Sequence, residues 1–193
     1  MKKRGNYALL LTLTCSLAAA GCASVLNEVT DRPFQESKTE PSLGTSVDDA
    51  KMETLIAVNI KKASPQLEAA HVNVNSYNRR VLLTGEVPSE EMKTLAGDTA
   101  RKYQGAREVF NELQVRNNTA VLARTNDSWL TSKVTGRLVA EKGLNTRGVD
   151  VVVEDSVVYL MGTVSHKDAN RIATIASRIG GVQRVVKVFE YSD

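Results

Sequence analysis

The stretch Val157-Val158-Tyr159-Leu160-Met161-Gly162-Thr163-Val164 repeats, at an offset of 77 residues, the pattern of Arg80-Val81-Leu82-Leu83-Thr84-Gly85-Glu86-Val87. Each copy is an aliphatic run that meets one glycine and then a valine, with a serine close behind (Ser89, Ser165). Extending the comparison outward pairs Val72-Asn73-Val74 with Val149-Asp150-Val151, and Glu108-Val109-Phe110 with Arg184-Val185-Val186. The chain therefore contains two copies of one small unit, and whatever fold it adopts must be made twice.

Composition matters here mainly through where the charge lies. The 193 residues are 42% apolar and 24% charged, which suits one or two compact domains. Lys2, Lys3 and Arg4 supply all of the formal charge of +3, so residues 22–193 carry 22 basic against 22 acidic side chains. A neutral body has no general phosphate-seeking field, and no nucleic-acid partner is expected.

The basic start is followed by an apolar run, Tyr7 to Ala20, and a small-residue cluster ending in Gly21-Cys22, the layout of a secretory signal. The run is too short for a comfortable membrane span. Ala19-Ala20-Gly21-Cys22 resembles the bacterial lipobox, which implies cleavage after residue 21 and acylation of Cys22. Cys15 would leave with the signal, so the mature chain would hold no free thiol or disulfide, excluding thiol catalysis and cysteine metal sites. Each buried methylene contributes about 0.8 kcal/mol, so several acyl chains make a lasting anchor. Ala23 stands where lipoproteins retained in the inner membrane would have Asp. The expected location is thus the periplasmic face of the outer membrane, by a lipid anchor. Residues 22–47, with Pro33, Pro41 and Gly44 among polar residues, read as a flexible tether.

The first unit spans residues 48–116. Asp48 or Asp49 is expected to cap a helix with Met52, Leu55, Ile56, Ile60 and Ala63 inward, stopped by Pro65. Strands from His71 to Ser76 and Arg80 to Val87 follow, joined by Tyr77-Asn78-Arg79. Ser89 caps a helix using Met92, Leu95, Ala96, Thr99 and Tyr103, and a last strand runs from Arg107 to Val115. After a linker, 117–125, the second unit (126–193) repeats the order. Asn126 or Asp127 caps a helix with the stripe Leu130-Val134-Leu138, closed by Gly143. Strands from Val149 to Glu154 and Val157 to Val164 pair around Asp155-Ser156. Ser165 and Asp168 form a capping-box variant, opening a helix that turns Ala169, Ile172, Ile175, Ala176 and Ile179 inward. A strand from Gln183 to Tyr191 ends the unit. The predicted class is α+β: two tandem αββαβ units, each a three-stranded mixed sheet with two helices on one face.

These features, above all Leu83-Thr84-Gly85, Leu160-Met161-Gly162 and the Val-x-Val closing strands, resemble the BON domain family. Behind a lipobox, the arrangement resembles outer-membrane lipoproteins that carry two such domains. The resemblance implies a non-enzymatic module that binds phospholipid membranes and supports envelope integrity, with a link to the division site.

The residues offer little to a catalyst. An enzyme needs converging acid, base, nucleophile or metal ligands, yet the histidines are only His71, opening a strand, and His166, in a helix's first turn. Both read as surface or capping residues whose partners the sequence does not place. Gly85 and Gly162 are single glycines, read as a close helix-over-strand approach or a bulge rather than a phosphate loop. Glu90-Glu91 sits at a helix start, where the macrodipole explains it. No catalytic residue, cofactor or metal is expected.

The sharper signal is where the copies differ. Trp129, the one tryptophan, aligns with Lys51. At about 100° per residue it points roughly 140° away from the Leu130-Val134-Leu138 stripe. Lys133 and Ala140 share its side, Arg137 lies at its boundary, and Gly136 would permit close approach. An indole at headgroup depth beside cations suits an anionic, phosphatidylglycerol-like membrane; packing between the domains is the alternative reading. The sheet positions Val157, Tyr159, Met161, Leu82 and Phe110 are more apolar than a solvated face needs. They are expected to meet the other domain or a protein partner, which leaves a periplasmic scaffold for envelope proteins as the second function reading.

Overall fold

The computed structural model describes residues 43–116 and 121–193. Cys22 and most of the proposed tether lie outside these residues. In chain order the elements are α1 (Leu43–Ala63), α2 (Pro65–Ala69), β1 (His71–Tyr77), β2 (Arg80–Val87), α3 (Glu90–Arg101), β3 (Glu108–Asn111) and β4 (Gln114–Val115). The second copy follows as α4 (Val121–Val139), β5 (Val149–Glu154), β6 (Val157–Val164), α5 (His166–Ser177) and β7 (Arg184–Tyr191).

Each sheet is built on its glycine-bearing strand. β2 pairs antiparallel with β1 and parallel with β3 and β4; β6 pairs antiparallel with β5 and parallel with β7. The fold is thus α+β, two mixed sheets with helices on one face of each, and α2 is a short addition in the first copy. Both hairpins turn in two residues, Asn78-Arg79 and Asp155-Ser156, all four at positive φ. Such mirror-image turns match the right-handed twist of the strands.

The alternation of side chains along a strand divides each sheet cleanly. In β2, Val81, Leu83 and Val87 face the first core, with Met52, Ile56, Ile60, Met92, Ala96 and Ala100 from the helices. In β6, Val158, Leu160 and Val164 face the second core, with Leu130, Val134, Leu138, Ala169, Ile172 and Ala176. The opposite faces close on each other. Tyr77 and Leu82 of the first copy join Val157, Tyr159, Met161 and Val188 of the second in a third buried cluster, flanked by Phe110, Val152 and Val186. The apolar sheet faces are therefore consumed by the contact between the domains, and the scaffold reading that gave them to a protein partner is corrected: those side chains are not available.

A polar rim surrounds this apolar centre. Asn73 Nδ2 donates to Glu154 Oε2 at 2.8 Å, and Asn78 Nδ2 to Glu190 Oε2. Arg107 pairs with Glu190 at 3.1 Å, Arg116 with Asp155 at 2.9 Å, and Arg184 with Glu112 at 3.7 Å. An apolar centre with a hydrogen-bonded edge is how stable interfaces are built.

The caps at Ser64, Ser89 and Ser165 are present, each hydroxyl accepting a backbone N–H of the following helix. Asp49 and Asp127 are not caps. Both helices begin upstream of them, so Leu43 to Val47 of the expected tether and Val121 to Thr125 of the expected linker are helical. The carboxylates are instead buried and turned onto the hairpins. Asp49 accepts from Asn78 N (2.7 Å), Arg79 N (2.8 Å) and Ser76 Oγ (2.8 Å). Asp127 accepts from Asp155 N and Ser156 N, both at 2.9 Å. A positive-φ turn points its amides one way, and an internal carboxylate satisfies them better than a helix end would. Within α1, Leu55 and Ala63 are exposed rather than inward, because the buried stripe follows Asp49, Met52, Ile56 and Ile60. The last strand of the first copy is broken at Glu112-Leu113, where Leu113 drops into the core and Asn111 turns its amide onto the Lys93 carbonyl at 2.8 Å.

Gly85 and Gly162 serve strand pairing, not a helix approach or a phosphate. At φ +110 and +144, a Cβ would stand 2.0 Å from the His71 carbonyl oxygen and 2.5 Å from that of Gly148. Both substitutions to Ala are expected to destabilise by at least about 1–3 kcal/mol from strain and overlap, measured by denaturant unfolding. Asp49→Ala leaves three donors without their acceptor and is expected to cost about 2–3 kcal/mol in the same assay. Glu190 offers a pH test. Burial pushes its carboxyl up, but hydrogen bonds from Asn78 and Arg107 and the charges of Arg107 and Arg80 outweigh this and hold it below its ordinary 4.5. A depressed folded value stabilises above the unfolded one and loses that stability as pH falls through the folded value. Glu190→Gln is therefore expected to be less stable than wild type at pH 7, with the difference closing as pH falls through the depressed folded value.

Candidate functional site

Trp129 lies on α4 two residues after Asp127, whose bonds to the hairpin fix the helix's rotation, and one before Leu130, the first residue of the buried stripe. It is 56% exposed and does not belong to the cluster between the domains, so interdomain packing of the indole is set aside. Lys133 lies one turn on, its Nζ 4.5 Å from the indole centroid and donating to the Gly180 carbonyl at 3.0 Å. The ammonium is held over the ring by a cation–π contact while keeping an exposed stem.

Gly136, Arg137 and Ala140 are exposed on the same side of the helix. A Cβ at Gly136 would meet nothing within 4 Å, so this glycine fills no packing need. Arg137 is less available than its sequence position suggests, because NH1 pairs with Glu141 Oε2 at 2.6 Å. Exposed i,i+4 pairs contribute about 0.3–0.5 kcal/mol, so the guanidinium can be drawn to a stronger anion at little cost. Val139, 69% exposed, adds an apolar side chain that the sequence reading passed over. Its signal was there, since it falls off the Leu130-Val134-Leu138 stripe. At the aligned positions the first copy has Lys51 for Trp129 and Leu55 for Lys133. Among the described residues no helix is long and apolar enough to cross a membrane.

The structure also gives His71 the partners that sequence alone did not place. His71 Nε2 stands 3.5 Å from Glu154 Oε1 across the domain contact and 3.1 Å from Asn73 Nδ2. Glu86, paired with His71 in the β1–β2 register, completes a group whose candidate ligand atoms all lie within 4.8 Å of one another. Burial raises the Glu154 carboxyl above its usual range, against the opposing effects of the Asn73 hydrogen bond and the His71 charge. His166 is a different case: its ring stacks on Tyr191 at 3.9 Å and contacts Asp193 at 2.7 Å, an exposed arrangement that ties the end of β7 to the start of α5.

Comparison with known proteins follows the repeat. The BON domain family matches twice, at residues 48–117 and 126–193. The chain is 35% identical over 179 residues to a Haemophilus influenzae protein named outer membrane lipoprotein DolP, covering 93% of this chain and 89% of that one. It is 33% identical over 150 residues to the 21 kDa hemolysin of Actinobacillus pleuropneumoniae, covering 78% and 77%. Against the osmotically-inducible protein Y of Escherichia coli it is 27% identical, covering 92% and 90%. With two matched domains filling most of its length behind one shared architecture, the chain belongs to the BON domain family.

Proposed function

We propose that this protein is a non-enzymatic lipoprotein of the outer membrane, anchored through Cys22 on the periplasmic face. In this reading it touches anionic phospholipid through the outer face of α4 and supports envelope integrity, with the division site as its place of action. The anchor and location are supported by the lipobox-like Ala19-Ala20-Gly21-Cys22 and by the likeness to a protein named as an outer membrane lipoprotein. The contact is supported above all by Trp129, a half-exposed indole with the Lys133 ammonium poised over it.

The physical argument is one of matched layers. Indole prefers the headgroup region, where its apolar ring and its N–H are both accommodated, and each cation near an anionic surface contributes about 1 kcal/mol. Lys133 and Arg137 would meet phosphate oxygens while Trp129, Val139 and Ala140 enter the boundary beneath. Gly136 leaves room for headgroups to approach the backbone. Affinity need not be high, because the acyl chains already confine the domain near lipid and raise its effective concentration. The anchor supplies residence, and α4 supplies preference for lipid type.

Because Trp129 is the one tryptophan, its fluorescence reports this face alone. Emission is expected to shift to the blue on addition of phosphatidylglycerol vesicles and to stay unchanged with phosphatidylcholine. Lys133→Glu is expected to weaken vesicle binding by about ten- to thirtyfold, reversing a contribution of about 1 kcal/mol. An unshifted spectrum with acidic vesicles would overturn the reading.

A further inference from the structure

The two copies meet through faces that the repeat makes comparable, and at one edge they differ in a way that packing does not explain. Tyr77 of the first copy is hydrogen-bonded to Thr163 of the second. At the repeat's offset of 77, the counterparts of Tyr77 and Thr163 are Glu154 and Glu86. A neutral hydroxyl pair at one edge is thus replaced at the other by two carboxylates. The counterpart of Gly148 is His71. One edge therefore carries a histidine and two acids at the three positions where its duplicate has glycine, threonine and tyrosine, the acids near that second edge being Asp150 and Glu190 instead.

Those acids are costly where they stand. Glu86 is 1% exposed and Glu154 is 7% exposed. Arg116 reaches Glu86 Oε1 at 3.1 Å, but it is shared with Asp155, and Glu86 Oε2 is buried with no hydrogen-bond partner. Glu154 is better served, by Asn73 at 2.8 Å and Thr84 at 3.4 Å. A buried carboxylate oxygen with nothing to accept from is a large penalty, and two acids buried side by side leave room for a cation between them beyond the one guanidinium that Arg116 divides between Glu86 and Asp155. We propose that His71, Glu86 and Glu154 form a binding site for one divalent transition-metal cation of the Zn²⁺ type, which ties the two BON domains together.

The donor set fits that class. One imidazole and two carboxylates, with water in the fourth position, is a normal four-coordinate zinc shell, whereas calcium and magnesium take oxygen ligands in larger number. Zinc bonds of about 2.0–2.2 Å place ligand atoms roughly 3.3 Å apart. From a cluster already within 4.8 Å, small side-chain rotations reach that spacing. Asn73 is exposed and sits beside both His71 and Glu154, where a hydrogen-bonding group would orient the ligands from outside the first shell. Gly85 contributes from behind: its missing Cβ lets the His71 carbonyl settle onto β2 and leaves His71 Cδ2 at 3.3 Å from that empty position, so the ring is held against the strand that carries Glu86. Two ligands come from the first domain and one from the second, so binding stabilises the pair of domains rather than either alone.

The test uses the full-length protein in detergent, stripped with EDTA and titrated with ZnCl₂ by calorimetry and by thermal unfolding. One saturable site per chain and a rise in Tm that levels off at one equivalent are expected, with no response to MgCl₂ or CaCl₂ at the same concentration. His71→Gln and Glu154→Gln, each near in shape to the original side chain, are expected to weaken zinc at least about tenfold, because loss of an outer-shell partner alone costs that much. His166→Gln should leave binding unchanged, since the exposed His166–Asp193 pair is the competing surface site. Absence of saturable binding, equal binding of magnesium, or binding that survives His71→Gln but is lost in His166→Gln would overturn the proposal. His71→Gln keeps the test valid should Glu154→Gln fail to fold.

Discussion

The contact between the two sheets is the interaction on which the rest of the molecule depends. Each unit covers one face of a three-stranded sheet with helices and leaves the other face apolar. A small sheet cannot leave such a face in water, and here each solves the problem for the other. Leu82, Tyr159 and Met161 are almost wholly buried in consequence. Fully burying one side chain of this size stabilises by about 1.5–3 kcal/mol, so a handful of them holds the domains firmly before any rim contact is counted. The helices lie on the outer side of each sheet.

That arrangement explains which parts of the fold are legible in the sequence. β2 and β6 carry consecutive apolar residues, Val81-Leu82-Leu83 and Val157 to Met161, because both of their faces are covered, and such a run announces two-sided burial directly. The repeat doubles the signal, and Ser89 and Ser165 mark their helices because a serine before an apolar helical period has few other roles. Asp49 and Asp127 differ from the expected caps for the opposite reason. An acid near a helix start serves equally as a cap or as an acceptor for something distant, and only the hairpin, about 30 residues away, decides between them. Local rules also missed the break at Glu112-Leu113, where the pull of Leu113 into the core outweighs strand continuity.

The candidate sites divide along the same line. The outer face of α4 could be read from a helical wheel, because exposure on a helix is a property of one segment. His71, Glu86 and Glu154 could not, because they lie on three strands from two domains and come together only once the sheets are packed. Duplication supplies the missing perspective after the fact. Since the two copies share a scaffold, each position has an internal reference, and departures such as Trp129 against Lys51 or Glu154 against Tyr77 mark where shape alone no longer dictates the residue.

The carboxylate of Asp127 has an effect that reaches past the turn it satisfies. It clamps α4 to the β5–β6 hairpin at a point two residues before Trp129. A helix held by a side chain near one end and by a packed stripe along its length has no freedom to roll about its axis. The azimuth of the indole is therefore set by the sheet beneath it, like the hand of a dial keyed to its shaft, and the direction in which this domain can lean toward a flat surface is decided in its interior.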